Sequence, residues 1–287
     1  MLNIGLMFKH YLPKKNQIIK LLSDIEREKD ICFYLLGEAT TEMIPKDKNI
    51  PHNTDSENDF KIDYIFCFGG DGTILRSVEY SILHNAPVLG VNFGKLGFLS
   101  DSTIREIRHS IDELQNGNFH LEKRMMLDIY VYRNKELIYS DLSLNEAVLS
   151  KGIISKLIKI RLYANRHFVY ETRSDGMIIS TPTGSTAYSL SAGGPIILPT
   201  MEAILVTALN PHAFTIRPMV FAGDTQFEIR IPIDNEVYLQ TDGKNRYLLQ
   251  HDDKIIIRKS LQSLKFIKLK NKTFYKLLRK KLYMGKI

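Results

Sequence analysis

The chain has 287 residues, 44% of them hydrophobic, and a formal net charge of +7. That is apolar material for one large core or two moderate ones, and no run of eighteen apolar residues is present to cross a membrane. From Leu264 onward there are nine Lys or Arg and no acid, which leaves 30 basic against 32 acidic residues elsewhere, so a broad nucleic-acid-binding face is not expected.

The opening "LNIGLMF" is expected as a strand; its apolar part is too short for a signal peptide and lacks a small-residue cleavage site. A cytoplasmic location is therefore the default expectation. In "NQIIKLLSDIER" the apolar residues at 18, 19, 21, 22 and 25 form a helical stripe. "ICFYLL" is a second strand, and the polar, turn-rich segment over 46–62 is a surface loop with no assigned role. A third strand, Ile65 to Phe68, stops at two glycines. After them Ile74, Leu75, Val78, Ile82 and Leu83 mark one helix face, with Thr73 as its cap. "APVLGVNFG" is a buried strand, and "STIREIRHSIDELQNG" a helix capped by Ser102 and stopped at Gly117. Such alternation implies a parallel sheet with helices on its faces. Cys32 and Cys67 lie within these strands and are expected as buried thiols, not as a disulfide or metal site.

Near residue 119 the rhythm changes. "MLDIYVYR", "LIKIRLYA", "FEIRIPI", "VYLQTDG" and "KIIIRKS" alternate as strands, and helical patterns are confined to 185–191 and 199–209. A second, β-rich domain follows. The basic tail interleaves its charges with Phe266, Ile267, Leu269, Phe274, Leu277 and Leu278, which suggests packing back on the body.

The chemistry concentrates in three places. "YIFCFGGDGTILRS" (64–77) puts one carboxylate, Asp71, between glycines where a strand meets a helix. Glycines permit a tight turn and close approach of a ligand to peptide N–H groups, which suits phosphate. A carboxylate would repel that phosphate, so its presence makes sense if it accepts a proton, holds a magnesium ion, or both. The motif lacks the Lys-Ser/Thr of a Walker A loop and the spacing of the dinucleotide fingerprint. The bland alternative is a tight turn with Asp71 capping the helix. "SLNEAVLSKG" (143–152) places an amide and a carboxylate, Asn145 and Glu146, where they could grip sugar hydroxyls. "RSDGMIISTPTGSTAYSLSAGGPII" (173–197) is dense in hydroxyls and glycines, and suits a polar, multi-hydroxyl ligand.

Together "GGDGT", "NEAV" and "SDGMIISTPTGSTAYSLSAGGPI" resemble signature blocks of the bacterial NAD kinases. "VLGVNFGKLGFLSD" (88–101) and "NPHAFTIRPMV" (210–220) are similar to the same family's pattern. The Gly-Gly-Asp-Gly element alone is shared with diacylglycerol kinases and, loosely, with phosphofructokinases. The resemblance implies an α/β domain over 1–118 with a parallel sheet of the phosphofructokinase and diacylglycerol kinase kind. A β-rich NAD-binding domain over 119–264 and the basic tail 265–287 would follow. It implies phosphorylation of the 2′-hydroxyl of the adenosine ribose of NAD, with ATP or another phosphoryl donor and Mg²⁺ or another divalent cation. Asp71 would be the general base, and Gly72 would let the ligand approach. Asn145 and Glu146 would bind NAD hydroxyls, and Arg173 and Asp175 would line the nicotinamide side. Thr186, Ala187, Tyr188, Ser189, Leu190 and Ser191 would wall the NAD subsite. Lys156, Asp242 and Lys244 are further candidate NAD-binding residues. No protein side chain is assigned to the metal. The resemblance also implies a homo-oligomer, a dimer or tetramer.

Two rival functions remain at this stage. A lipid kinase of the diacylglycerol type would share the first motif and use the tail at a membrane, but the 173–197 loop suits a soluble, hydroxyl-rich ligand. A nucleic-acid-binding protein would fit the pI of about 9.1, but the charge is confined to the tail.

Overall fold

A computed structural model describes residues 1–9, 11, 15–37, 61–94, 97–153, 156–232, 236–269 and 273–283. Most of the polar loop 46–62 lies outside the described residues, as do 270–272 and 284–287 of the basic tail. The chain forms two compact units, Met1–Lys123 with Leu264–Ile287, and Arg124–Ser263.

In chain order the first unit holds β1 (Leu2–Phe8), α1 (Lys15–Glu28), β2 (Ile31–Leu35), β3 (Tyr64–Phe68), α2 (Asp71–Arg76), α3 (Val78–His84), β4 (Val88–Asn92), β5 (Ser102–Thr103) and α4 (Ile107–Gln115). Next come β6 (Phe119–Arg133), β7 (Glu136–Ser143), β8 (Glu146–Lys151), β9 (Ile158–Ala164), β10 (His167–Ser174), β11 (Gly176–Ser180) and α5 (Tyr188–Ser191). The chain continues through β12 (Ala203–Leu209), β13 (Met219–Ala222), β14 (Phe227–Arg230), β15 (Val237–Thr241) and β16 (Asn245–Leu249). It closes with β17 (Lys254–Leu269) and α6 (Phe274–Leu282).

The first unit is built on a parallel sheet. β1 lies between β2 and β3, β4 pairs with β3, and the far end of β17 joins β4 through Phe266 opposite Val88. Alternate residues point to one face: Ile4, Leu6 and Phe8 from β1, Phe66 and Phe68 from β3, Leu89 and Val91 from β4. The stripes Ile18, Ile19, Leu22, Ile25 of α1 and Ile107, Ile111, Leu114 of α4 complete that core. Burial of each such side chain contributes about 1.5–3 kcal/mol, and Phe8 stacks on Phe68 at 4.9 Å. Ile65 and Cys67 are buried on the opposite face, as expected for a strand in a covered parallel sheet. Burial pushes the Cys67 thiol up to about 12, so it is an inert thiol.

The second unit is antiparallel. Among the described residues, six strands run in the order β13-β12-β11-β8-β15-β16. β10, β9, β14 and the start of β17 pair side by side in that order, and β6 pairs with β7. Inward residues of these strands meet in one core, including Leu127, Ile129, Leu149, Ile160, Ile179, Val206, Phe227, Leu239 and Ile257.

Five local expectations are corrected. The segment 199–209 was expected to be helical, yet Ala203–Leu209 is β12, buried at every position and paired on both sides. A continuous apolar run fits a buried helix or a central strand equally well, and Ile204, Val206 and Thr207 favour the strand. The single helix after the glycines is two, α2 and α3, meeting at Ser77. Thr73 does not cap α2; the N-cap is Gly70, without a side-chain bond. Ser102 belongs to β5, and Glu106 precedes α4. The helical reading of 185–191 becomes a single 3₁₀ turn followed by the four-residue α5.

Candidate functional site

β3 delivers the chain to Gly69 and Gly70, and Asp71 opens α2. Gly69 donates its N–H to Val91 O at 2.9 Å, which ties the turn to β4. A Cβ on Gly69 would strike Thr73, so a side chain is excluded there by packing. Gly70 and Gly72 differ: a Cβ on either would meet no protein atom within 4 Å. Their faces are open to an approaching molecule.

The Asp71 carboxylate does not turn back on its own helix. Oδ2 accepts the Phe98 N–H at 3.1 Å and Oδ1 the Leu99 N–H at 3.2 Å. These donors sit in the loop after β4, braced by the Gly97 N–H to Ser100 Oγ at 2.7 Å. A Cβ on Gly97 would collide with the carboxylate. Helix capping is thus not what Asp71 does. Its half-buried carboxylate is fixed from one side by two peptide N–H groups and keeps unused lone pairs.

In the second unit Asn145 and Glu146 stand at the start of β8, both buried. The end of β11 and the following turn build the floor beneath them. Thr181 Oγ1 donates to Leu144 O at 2.6 Å, Thr181 N–H to Asn145 O at 2.8 Å, and Ser180 Oγ to the same carbonyl at 3.2 Å. Gly184 packs so closely on Asn145 O that a Cβ has no room. Asp242 closes the arrangement from the β15–β16 turn, its carboxylate accepting from Ser143 Oγ and the peptides of Leu144, Asn145 and Glu146 at 2.6–3.1 Å. Glu146 Oε2 is buried without a hydrogen-bond partner. Burial, and then the Asp242 charge, push its carboxyl up to about 8.

Much of the hydroxyl-rich loop is internal wiring. Ser185 Oγ donates to Pro182 O at 2.7 Å, and Ser189 Oγ is spent on Thr207 Oγ1 at 3.2 Å. The outward members are Tyr188 and Ser191, with Thr186, Ala187 and Leu190 half-buried beside them.

A third cluster lines a cavity of about 710 Å³: Lys156, Lys159, Arg173 and His212, with Leu157, Ile158, Pro232 and Val237. His212 N–H donates to Arg173 O at 2.8 Å, which holds the two chain segments together. Asp175 turns to Lys151 at 2.8 Å and to Asn210 Nδ2 at 2.9 Å. Those two partners, Lys151 foremost, hold its carboxyl below the usual range. Lys244 is exposed in the β15–β16 turn, where its N–H reaches Thr241 O at 2.8 Å.

The candidates therefore fall into separate groups: Asp71 with Gly72; Asn145, Glu146 and Asp242; Lys156 with Arg173. Sequence reasoning missed Phe98, Leu99, Ser143, Lys159 and His212. Peptide N–H groups leave no letter in a sequence, though the two glycines of "GKLG" marked the loop that supplies them.

Sequence profiles of the ATP-NAD kinase N-terminal domain and the ATP-NAD kinase C-terminal domain match residues 15–119 and 144–269. The chain belongs to the ATP-NAD kinase family. Among relatives of this NAD kinase family member, a NAD kinase of Acetivibrio thermocellus is 34% identical over 285 residues, covering 99% of this chain and 98% of its own. One from Nitrosomonas europaea is 34% identical over 279 residues, covering 97% and 94%. Among solved structures, yeast NADH kinase complexed with NADH matches with a TM-score of 0.85 at 25% identity, covering 100% of this chain and 89% of that one. An NAD kinase from Archaeoglobus fulgidus in complex with ATP has the same fold, with a TM-score of 0.71 at 23% identity and coverage of 98% and 99%.

Proposed function

We propose that this chain is a NAD kinase in which Asp71 acts as general base. ATP, or another phosphoryl donor, passes its terminal phosphoryl group to the 2′-hydroxyl of the adenosine ribose of NAD, giving NADP. The observation that carries the role of Asp71 is the aim of its carboxylate. Two peptide N–H groups hold it away from its own helix, beside glycines whose faces are open. A hydroxyl becomes a competent nucleophile as it loses its proton, and a fixed carboxylate with free lone pairs takes that proton.

Phosphoryl transfer otherwise asks the protein for positioning and charge neutralisation. The open backbone at Gly70 and Gly72 suits donor phosphates. Asn145 and Glu146 would hold hydroxyls of the dinucleotide, with Tyr188, Ser191 and the half-buried Thr186, Ala187 and Leu190 as a wall. Lys156 and Arg173 give their cavity a positive lining that suits the dinucleotide's phosphates, with Lys159 beside them paired to Glu171 at 2.8 Å. Asp175, engaged by Lys151 and Asn210, would steady the nicotinamide side rather than bear a free charge. Ser189 and Asp242 have their oxygens committed within the protein, and are better read as framework. A divalent cation would arrive with ATP as part of the substrate and offset phosphate charge. Asp71 fits such an ion, since magnesium keeps most of its waters and needs one or two carboxylates beside the phosphates.

The glycine turn that ends β3 is the feature the first unit would share with phosphofructokinases and diacylglycerol kinases. A homo-oligomer in the cytoplasm fits the family. No described helix is long and apolar enough to cross a membrane.

The test is formation of NADP from NAD, with ATP and with polyphosphate as donors, repeated with NADH because the yeast neighbour is an NADH kinase. Phosphorylated dinucleotide formed by the wild type, and formed at least about a hundredfold more slowly by Asp71→Asn, supports the reading. Failure of every donor and acceptor pair overturns it.

A further inference from the structure

The turn that presents Asn145 and Glu146 is organised around a single carboxylate. Asp242 and Gly243 take left-handed φ values of 46° and 68°, a tight hairpin turn between β15 and β16. Asp is one of the few side-chain-bearing residues that tolerate this conformation. In it, Asp242 makes five hydrogen bonds to one short segment. Its N–H donates to Glu146 O at 3.0 Å. Its Oδ1 accepts from Ser143 Oγ, Asn145 N and Glu146 N at 2.6, 2.7 and 3.1 Å, and its Oδ2 from Leu144 N at 2.8 Å. Three of the four groups facing the carboxylate are peptide N–H groups, which only donate, so Asp242 is the member of the acidic pair that carries the charge.

Glu146 is in the opposite situation. It is 7% exposed, and its Oε2 has no partner. Ser180 of β11 stands opposite it in the sheet, and Thr241 of β15 stands opposite its neighbour Ala147. Neither carries a charge. The charged group facing it is Asp242, from the β15–β16 turn. Lys244 of that turn is exposed, and the buried Arg124 of the same unit is directed to Thr183 Oγ1 at 3.3 Å. Two carboxylates in one dry turn do not both ionise readily.

The geometry points to Asp242 as a positioning residue that turns Glu146 into a hydrogen-bond donor: Asp242 absorbs the donors of the turn and the negative charge, and Glu146 presents an O–H to the dinucleotide. A neutral carboxyl offers a donor and an acceptor side by side, and a ribose hydroxyl needs both. Burial and the Asp242 charge act in the same direction, holding the proton on Glu146 to about pH 8. The inference rests on Asn145 and Glu146 being the hydroxyl-binding pair, as proposed above.

Calorimetric titration of the full-length protein with NAD, from pH 6.5 to 9.5, tests it. For the wild type, Kd should be flat to about pH 8 and then rise, approaching tenfold per pH unit, as Glu146 loses its proton. In Asp242→Asn the adverse charge is gone, so the rise should begin at lower pH, with burial alone still holding it above the ordinary carboxylate range. In Glu146→Gln, which cannot titrate, the rise should vanish. A merely structural Asp242 would weaken binding at every pH without moving the inflection, and that result overturns the inference. So does a wild-type Kd that is flat or tightens with pH, or a Glu146→Gln profile that keeps the rise. Should Asp242→Asn fail to fold, the wild type and Glu146→Gln still decide. A ligand-free measurement separates this inference from the kinase reading. The ¹³C carboxyl signal of Glu146, assigned by its loss in Glu146→Gln, should titrate near pH 8 without NAD. Titration in the ordinary carboxylate range overturns the inference even if NAD binds. Titration near 8 in a protein that binds no NAD upholds the acid pair and overturns its use toward NAD.

Discussion

Replacing Asp71 with Asn separates the chemical role of the carboxylate from its structural one. The native group accepts two peptide N–H bonds, from Phe98 and Leu99, one on each oxygen. Asn keeps one acceptor oxygen and puts an NH₂ where the other stood, so one N–H loses its partner. An unsatisfied group of this kind costs about 1–3 kcal/mol when buried, and the half-exposed position puts the cost at the lower end. At about 2–4 °C per kcal/mol for a chain near this size, the melting temperature should fall by only a few degrees. The folded fraction at 25 °C is then unchanged. Loss of a general base, by contrast, lowers kcat by about two to four orders of magnitude, or about 3–5 kcal/mol of barrier. The assay is steady-state NADP formation at saturating ATP and NAD, with the thermal transition recorded on the same preparation. A kcat within tenfold of wild type, in a protein that melts a few degrees early, would refute the catalytic assignment. A large rise in KM for NAD with unchanged kcat would make Asp71 a ligand-positioning residue instead.

Gly97→Ala should push a methyl group into the Asp71 carboxylate, lowering kcat at least tenfold while NAD binding by calorimetry changes little. Glu146→Gln should alter the pH dependence of stability. Folded Glu146 keeps its proton to about pH 8 and the unfolded chain releases it near 4.5, so the native acid is no burden below pH 4.5 and a growing one up to about 8. The variant should therefore gain melting temperature relative to wild type at pH 8 and not at pH 4, with an upper limit of about 4–5 kcal/mol; an equal gain at both would refute it. Lys151→Met removes the ion pair of Asp175, both partners being about 30% exposed, and should cost under about 1 kcal/mol at pH 7. Because the Asp175 carboxyl is held below its ordinary 3.8, that cost should fade as the pH drops through the folded value, as acid titration of the two proteins would show. Phe266→Ala should cost about 3–5 kcal/mol in denaturant unfolding, since Phe266 is 1% exposed. Removing residues 273–287 should cost much less, because α6 buries no side chain.

The strands of the first unit were legible because they announce themselves twice, as short apolar runs and by the breakers at their ends. β1, β2, β3 and β4 fall within two residues of where the sequence placed them. β12 was illegible for a physical reason. "AILVTAL" is apolar but for Thr207, and a strand buried on both faces loses the alternation that distinguishes it from a helix. At the site, a lone carboxylate among glycines was conspicuous, and so was the amide–carboxylate pair. What each side chain does was not. Asp71 had the composition of a helix cap and proves to be held by a loop twenty-seven residues away. Asp242 looked like a ligand residue and is the anchor of a turn nearly a hundred residues distant in sequence. Long-range hydrogen bonds to peptide groups depend on the fold, and no local pattern encodes them. The hydroxyls of the 180–191 loop mislead in the opposite sense, since several that suggested a ligand satisfy buried carbonyls instead.

β17 has a consequence for synthesis. Its last residues complete the first unit: Leu264, Phe266 and Ile267 are buried there, Leu269 N–H reaches Asp101 Oδ2 at 2.8 Å, and Lys268 lies 3.5 Å from the same carboxylate. A ribosome delivers residues 1–123 long before residue 266. Until then the nascent sheet carries an unpaired edge at Val88. The first unit therefore completes its sheet only after the whole second unit has been made, and a chain stopped before residue 264 would leave that strand edge bare for another strand to pair with.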